Sequence, residues 1–459
     1  MVATVNAKAD KAGVGALPLV PKNPLPIRQQ LTALRVFHTG QQTLRDAGGP
    51  VTRLSFGPNW LLPPIVIATT PQGARDILGR PDALVERNKV HQEMRHLLGP
   101  NLFVITHDAW LPRRRALQPV FTKHRVRDFG GQMSSAADTI ANSWADGGEI
   151  DLDTECRRLT LRALGRSVLG LDLDERADAL AEPLRTVLTY IADRGLAPIR
   201  APKWLPTPPR RRARAAAAII RQIANDALQA CRADPTRDAP LVHALIAATD
   251  PATSRPLTDD EICDDLVVFI GAGHDTTATT VAYALWALGC HREIQDRVAA
   301  EAAAIGDREL TPEDVPHLGY TVAVLHEAMR LCPPAAAIGR LATQDIIVDG
   351  YRVQAGTMVV VGTYAIHRDP ALWDHPLLFD PDRFSPQNST GRDRWQFIPF
   401  GAGPRSCIGD HFAMLEATLA LATIVRRTEI LSMDPDFPVA VPLTMVADAP
   451  IRARTRART

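Results

Sequence analysis

Phe400-Gly401-Ala402-Gly403-Pro404-Arg405-Ser406-Cys407-Ile408-Gly409 sets three glycines, a proline and one cysteine within ten residues, then runs into an Ala/Leu-rich helical pattern from near Asp410. A glycine-rich turn here presents a sulfur at a helix N-terminus. Unpaired backbone N–H groups and the positive end of the helix dipole favour a thiolate at such a place. Arg405, two residues before Cys407, adds a cation. A thiolate so placed can serve as a nucleophile, a redox thiol, a zinc ligand or an axial ligand of haem, and the rest of the chain must choose.

Working outward, the 459-residue chain has a globular composition, 46% hydrophobic and 22% charged, with formal net charge +1. No global charge argues for nucleic acid or an anionic membrane as partner. Cys156, Cys231, Cys263, Cys290, Cys332 and Cys407 are scattered without CxxC or CxxCH. This excludes the usual zinc-ribbon, thioredoxin-like and c-type haem signatures and fits a reducing compartment. The apolar run 16–21 is too short and too proline-broken for a signal or membrane-spanning helix, so the expectation is a soluble, cytoplasmic protein without a transmembrane anchor. Of the 52 basic residues 46 are Arg, which with abundant Ala suggests a bacterial coding bias.

In chain order, residues 1–26 read as a flexible lead and 27–46 as an amphipathic helix. Val51–Phe56 and Ile65–Thr69 read as short strands, and about 80–107 as an irregular, functional kind of segment. A helix starts from Trp110, with Pro112 expected in its first turn. Trp110 and Arg114 share a face of it. Arg113, Arg114 and Arg115 read as a basic, solvated face. Helical periodicity continues over about 130–250, broken by the proline-rich run 202–209, which leads into Arg210, Arg211, Arg212 and Arg214 as a solvated corner or a lid.

Thr258-Asp259-Asp260-Glu261 is a capping box, and an apolar helix follows to about Cys290. A helix of roughly 30 residues spans about 45 Å and must cross the interior. Its centre nevertheless reads Gly271-Ala272-Gly273-His274-Asp275-Thr276-Thr277. Glycine costs roughly 1 kcal/mol against alanine inside a helix, so small residues here suit something large lying flat on the backbone. Thr276 can bond back to the carbonyl of Ala272, and Asp275 beside it supplies an exchangeable carboxyl: an acid and an alcohol suited to proton relay. Close packing on another helix is the plainer alternative.

In the second half His326-Glu327-Ala328-Met329-Arg330 fails as a zinc motif because Arg330 holds the second ligand position. Glu327 and Arg330 remain, on one face of an apolar helix. Short strands follow at Ile346–Val348, Tyr351–Val353 and Met358–Val361. The segment from His367 to Pro399 is nearly structureless and contains Pro381-Asp382-Arg383-Phe384, with Arg383 the candidate pin.

Together these motifs resemble the cytochrome P-450 family of haem-thiolate monooxygenases. The pattern FxxGxRxCxG is met by Phe400, Gly403, Arg405, Cys407 and Gly409. ExxR is Glu327 to Arg330, the PERF-like element is Pro381 to Phe384, AGxDT(T) is Ala272 to Thr277, and WxxxR is Trp110 with Arg114. The resemblance runs from about residue 27 to 450 and implies a mainly α fold with small β-sheets, haem b lying between a long central helix and the cysteine-containing loop and helix. Residues 27–459 would form one haem domain, with a β-rich N-terminal portion and a helix-rich main portion.

It further implies roles. Cys407 would be the iron ligand and Phe400 its packing neighbour, with Gly409 in the same loop and Ala272 against the ring. Trp110, Arg114, Arg340 and Arg405 would bind the propionates. Glu327, Arg330 and Arg383 would lock the coil, and Asp275 and Thr276 would deliver protons to bound O2. Electrons would come from NAD(P)H through a separate ferredoxin and ferredoxin reductase, docking near Arg113, Arg115 and His411, and the protein would be a monomer. The residues by which the family analogy would line the pocket, around 90–105, Val268, Ala272, 335–338 and 439–444, are mostly apolar. A hydrophobic substrate such as a fatty acid, terpene or sterol is expected. A haem-thiolate peroxygenase or isomerase, which needs no Asp275-Thr276 pair, and a non-catalytic haem- or lipid-binding protein are the alternatives.

Overall fold

The computed structural model describes residues 15–58, 62–80, 84–173, 177–196, 200–249 and 254–458. Two compact units divide the chain. One comprises Met1–Gln92, Ala335–Leu378 and Gly391–Cys407, and the other Glu93–Pro334, Phe379–Thr390 and Ile408–Thr459.

The first unit is built on a five-stranded sheet. Val51–Leu54 pairs antiparallel with Ile65–Ala68, which runs parallel to Met358–Val361. That strand pairs antiparallel with Ile338–Ala342, and Val85–Glu86 closes the far edge. Strands rich in Val and Ile with no polar alternation are buried on both faces, and this sheet shows why. Val66, Ala68, Val359 and Val361 pack with Ile77 and Trp395 on one side, while Ile67 and Val360 pack with Leu44 and Leu54 on the other. Arg340 pairs with Val359 in register and is almost fully buried.

Three sequence expectations change here. Residues 19–23 are no loose lead: Arg53 N–H donates to Pro21 O at 2.8 Å, Asn23 N–H to Arg53 O at 2.9 Å, and Val20 is buried. The lead before residue 15 lies outside the described residues. The helix over 27–46 is two helices, Ile27–Arg35 and Phe37–Gly48, broken at Val36. They cross so closely that a Cβ on Gly40 would fall 1.8 Å from Ala33 O. The stretch 80–107 is not irregular throughout, since it contains the strand Val85–Glu86 and the helix Lys89–Leu98. Asn88 starts that helix by accepting the Val90 N–H at 3.1 Å.

The second unit is helical around one long member, Asp259–Cys290. Both halves of its capping box form: Thr258 accepts from Glu261 N–H, and Glu261 accepts from Thr258 N–H at 2.9 Å. A three-stranded antiparallel sheet, Gly148–Asp151, Arg452–Ala457 and Thr428–Ser432, joins the chain end to its middle. The Trp110 helix begins at His107, so Pro112 sits inside it and not in its first turn. One backbone donor is lost there. The solvated arginine face is also corrected. Arg113 is buried and donates to Asp265 at 3.2 Å and to Pro100 O at 3.4 Å, while Arg115 is exposed. Trp110, Arg113 and Leu117 share the inward face of this helix.

Glu327 and Arg330, on the helix Gly319–Leu331, are both without solvent contact. Arg330 grips the carboxylate with two bonds, Nε to Oε2 at 2.6 Å and Nη2 to Oε1 at 2.8 Å. Asp380 N–H donates to Oε1 at 2.9 Å, and Arg383 Nε stands 3.3 Å from the same oxygen. The carboxylate thereby fixes the short turn Pro381–Phe384 and the coil around it. Removing one partner from a buried, hydrogen-bonded pair leaves a charge that water cannot reach. Arg330→Ala is expected to cost about 3–5 kcal/mol of unfolding free energy, and Arg330→Lys to rescue little of it because an ammonium lacks the fork. Urea denaturation of the three proteins checks this; equal midpoints would remove the lock.

Candidate active site

Gly401 and Gly403 have φ of +68° and +75°, the left-handed region that favours glycine, and between them they turn the chain back on itself. Gly401 N–H donates to Ile398 O at 3.0 Å, Ser406 N–H to Gly403 O at 3.1 Å, and Cys407 N–H to Phe400 O at 2.9 Å. The loop is closed by its own backbone and ends with the Cys407 side chain exposed. Gly403 has a second reason to be glycine: a Cβ there would lie 1.9 Å from Leu78 O. At Gly409, the N-cap of the helix Asp410–Arg427, φ is −101° and an added Cβ would meet nothing within 4 Å. The protein's own packing does not demand glycine at that position.

The same unit gathers cations. His91 is buried, and burial followed by the charges of Arg87, Arg340 and Arg405 holds its pKa well below the usual value. His91 Nδ1 lies 2.7 Å from Asn88 Oδ1. Gly339 passes so near Asn88 that a Cβ would sit 2.2 Å from Asn88 Nδ2. Arg340 and Arg405 therefore converge, as the sequence leads one to expect, around a neutral histidine that it did not single out. The signal was Asn88 three residues before His91, an N-terminal cap in a stretch that reads as loop. In the other unit the Arg114 guanidinium lies 5.8 Å from the centre of the Trp110 ring, so this pair does share a face.

Along the central helix, Ala272 alone is exposed between residues 261 and 289. Val268 and Thr276, four residues to either side, are half-buried on the same face. Thr276 Oγ1 donates to Ala272 O at 2.9 Å, as its position suggests. Two further threonines repeat the bond: Thr279 to Asp275 O and Thr280 to Thr276 O, each at 3.0 Å. The helix remains continuous through all three.

Asp275 points away from this open strip. Its Oδ1 pairs with Arg157 Nη1 at 2.5 Å, and its Oδ2 accepts from Thr444 Oγ1 at 2.5 Å. Arg157 also donates to Asp153 at 2.8 Å. Burial works against the Arg157 charge, but the carboxylates of Asp275 and Asp153 outweigh it and raise the pKa. Arg157 and Thr444 were not identified as partners of Asp275. The spacing of Asp153 and Arg157 marks a local helix pair, whereas their meeting with Asp275 is a product of tertiary folding. His274 is fully buried beside this pair. Burial first, then Arg157, push its pKa down to about 4 against the opposing pull of Asp275.

These features fit a flat, anionic, iron-bearing ring. An exposed thiol suits iron, clustered cations suit carboxylates, and an uncovered strip of Val, Ala and Thr suits an apolar ring face. Comparison with known proteins agrees. The sequence model described as cytochrome P-450 matches residues 18–446. Cyclooctat-9-en-7-ol 5-monooxygenase of Streptomyces melanosporofaciens is 32% identical over 83% of this chain and 82% of its own length. Pentalenene oxygenase of Streptomyces avermitilis is 29% identical over 90% of this chain and 92% of its own. Among solved structures, a mutant cytochrome P-450DA haem domain superposes with TM-score 0.81 at 25% identity, covering 96% of this chain and 98% of that one.

The chain belongs to the cytochrome P-450 family. It is a monooxygenase that uses haem b and O2, takes electrons originating in NAD(P)H from separate partners, and oxidises a hydrophobic small molecule. Among the described residues no helix is long and apolar enough to cross a membrane.

The depressed pKa of His274 makes stability pH-dependent. Below about 6.5 the unfolded chain takes up a proton that the folded one refuses until about 4, so stability falls as pH drops through that window. The loss amounts to about 3 kcal/mol at its lower end. His274→Leu is expected to flatten this slope in urea titrations between pH 7 and 4; an unchanged slope would contradict the burial argument.

Proposed function

We propose that this enzyme hydroxylates a terpene-like hydrocarbon or alcohol, and that Cys407 is the residue that would hold its haem iron. The observation that supports the haem assignment is the backbone-closed loop that leaves the Cys407 side chain exposed. Haem held through that sulfur supplies the oxygen-activating chemistry, since thiolate donation favours O–O cleavage. Phe400, whose carbonyl accepts the Cys407 N–H, would sit beside the group, Gly409 would leave room beside the loop, and Ala272 would let the ring lie against the central helix. Trp110, Arg114, Arg340 and Arg405 would hold the propionates, with neutral His91 beside Arg340 and Arg405.

Asp275 and Thr276 move the proton. The Asp275 carboxyl, held by Arg157 and Thr444, would be the exchangeable group, and Arg157 in turn holds the partly exposed Asp153. Thr276 donates to Ala272 O and keeps oxygen lone pairs to accept a hydrogen bond on the open face. The terpene assignment is supported by the relatives named for cyclooctat-9-en-7-ol and pentalenene, and by the apolar character of Val268 and Ala272. A ferredoxin and its reductase supply electrons to a monomeric, cytoplasmic enzyme in which residues 27–459 act as one haem domain. Exposed Arg115 and His411 remain candidates for the docking face, and buried Arg113 does not.

The reduced carbon monoxide complex is expected to show the red-shifted Soret band of haem-thiolate proteins, and terpenoids to shift the resting spectrum where fatty acids and sterols do not. A folded protein without that band would sink the ligand assignment; a response to fatty acids alone would sink the substrate class. Thr276→Ala is expected to lower product formed per dioxygen consumed by roughly tenfold with an unchanged resting spectrum. Full coupling in that variant would remove Thr276 from proton delivery.

A further inference from the structure

Asp265 stands on the same face of the central helix as the open strip, with Val268 one turn and Ala272 close to two turns beyond it. The strip that is bare at Ala272 is covered at Asp265, whose side chain meets no solvent. It is met there by the loop from Gly99 to Thr106 and by the helix His107–Leu117 that follows. Asp265 Oδ1 accepts the Leu102 N–H at 2.5 Å, and Oδ2 accepts from Arg113 Nη1 at 3.2 Å. Arg113 also donates to Pro100 O at 3.4 Å. One carboxylate therefore holds the loop twice, directly and through an arginine.

The loop's other polar bonds are local. Asn101 Oδ1 accepts the Phe103 N–H at 3.1 Å, and Asn101 O accepts from Val104 and Ile105 at 3.0 and 3.1 Å. The chain enters at Gly99 with φ of +81°, and a Cβ there would lie 2.0 Å from Asp264 Oδ2, so the loop runs close against the neighbouring acid as well. Leu102, Val104 and Ile105 are buried, while Phe103 among them is 41% exposed. The amide that Asp265 holds is the one next to Phe103, so moving that bond moves the ring.

We propose that Asp265 is a positioning residue for substrate: ionised, it fixes the loop 99–106 as an end wall of the strip with Phe103 at its edge, and protonated, it releases that wall. The inference rests on the reading above that an apolar substrate lies on the strip. A carboxylate accepts from both donors at once, whereas the neutral acid offers Arg113 no charge to answer. Burial raises the Asp265 pKa to about 7, opposed by Arg113 and the Leu102 N–H, so both forms are populated in the neutral range. On its own helix Asp264 is the neighbouring charge and is paired with Arg221 of the helix Pro208–Ala233. The helix Pro240–Ala247, packed on both the central helix and the Arg113 helix, carries His243, whose Nε2 lies 2.8 Å from Arg237 O. The helix Leu152–Leu164 brings Arg157 to Asp275, farther along. Arg113 is the cation in contact with Asp265. Substrate prefers the held loop, so binding tightens as pH rises through about 7 and drives a proton off Asp265.

The test is titration of the full-length holoprotein with pentalenene and with dodecanol, neither of which ionises in this range, read from the haem spectrum on both sides of neutrality, beside amide exchange over 99–106. Dissociation constants are expected to fall by roughly tenfold as pH rises through the transition, and exchange at Leu102, corrected for its intrinsic pH dependence, to slow in step. Asp265→Asn keeps an acceptor for the Leu102 N–H but no charge for Arg113, and is expected to bind weakly at every pH. Phe103→Ala is expected to bind weakly too, yet to keep the pH dependence. Unchanged carbon monoxide spectra and thermal transitions establish that the variants are folded. A spectral response to dodecanol alone would overturn the terpene class and not this inference; a response to neither would overturn both. A pH-independent affinity in the unmodified protein, an unaltered pH dependence in folded Asp265→Asn, or full affinity in Phe103→Ala would overturn the inference alone.

Discussion

A carboxylate sealed from water has to be answered by the protein that encloses it. Glu327 is answered by the two-bond grip of Arg330, by the Asp380 N–H and by nearby Arg383. None of these contacts is strong in net terms, because desolvating the ions consumes most of the attraction. What they provide is uniqueness. The coil containing Asp380 and Arg383 has almost no hydrogen-bonded secondary structure of its own, and the buried charge leaves it a single satisfactory arrangement.

The central helix solves a different problem with the same economy. The helix is enclosed along most of its length, with Ala272 exposed between polar anchors. Thr276, Thr279 and Thr280 fold their hydroxyls back onto the helix's own carbonyls, which satisfies three hydroxyl donors within the helix. Farther toward its start, Asp265 holds Leu102 N–H at 2.5 Å together with Arg113, tying down the loop before the Trp110 helix. Burial pushes the Asp265 pKa up to about 7 despite Arg113. The open stretch at Ala272 is flanked by polar anchors on both sides.

How much of this could be read from residues depended on range. The capping box at Thr258, the back-bond of Thr276 and the strands at 346–348, 351–353 and 358–361 all arise within a few positions, and each lies where local pattern places it. Arg113 misled because three consecutive arginines suggest a wet face, although Trp110, Arg113 and Leu117 already had the spacing of an inward stripe. The pairing of Arg157 and Thr444 with Asp275, and of residues 65–68 with 358–361, joins distant segments whose separate patterns carry no mark of the other. The cysteine loop was legible because its motif is contiguous; the cation cluster about His91 was only half so, since Arg87 and His91 flank the start of a helix that reads as loop.

One close approach carries a consequence for how such a chain can change. Leu78 O occupies the place a side chain at 403 would need. No single substitution at 403 is neutral while that carbonyl stays where it is, and the carbonyl belongs to the main chain, which no substitution at 78 removes. The cysteine loop and the end of the helix Pro71–Leu78 are therefore bound to each other's history by a methyl group that neither contains, and drift in one must wait for a backbone shift in the other.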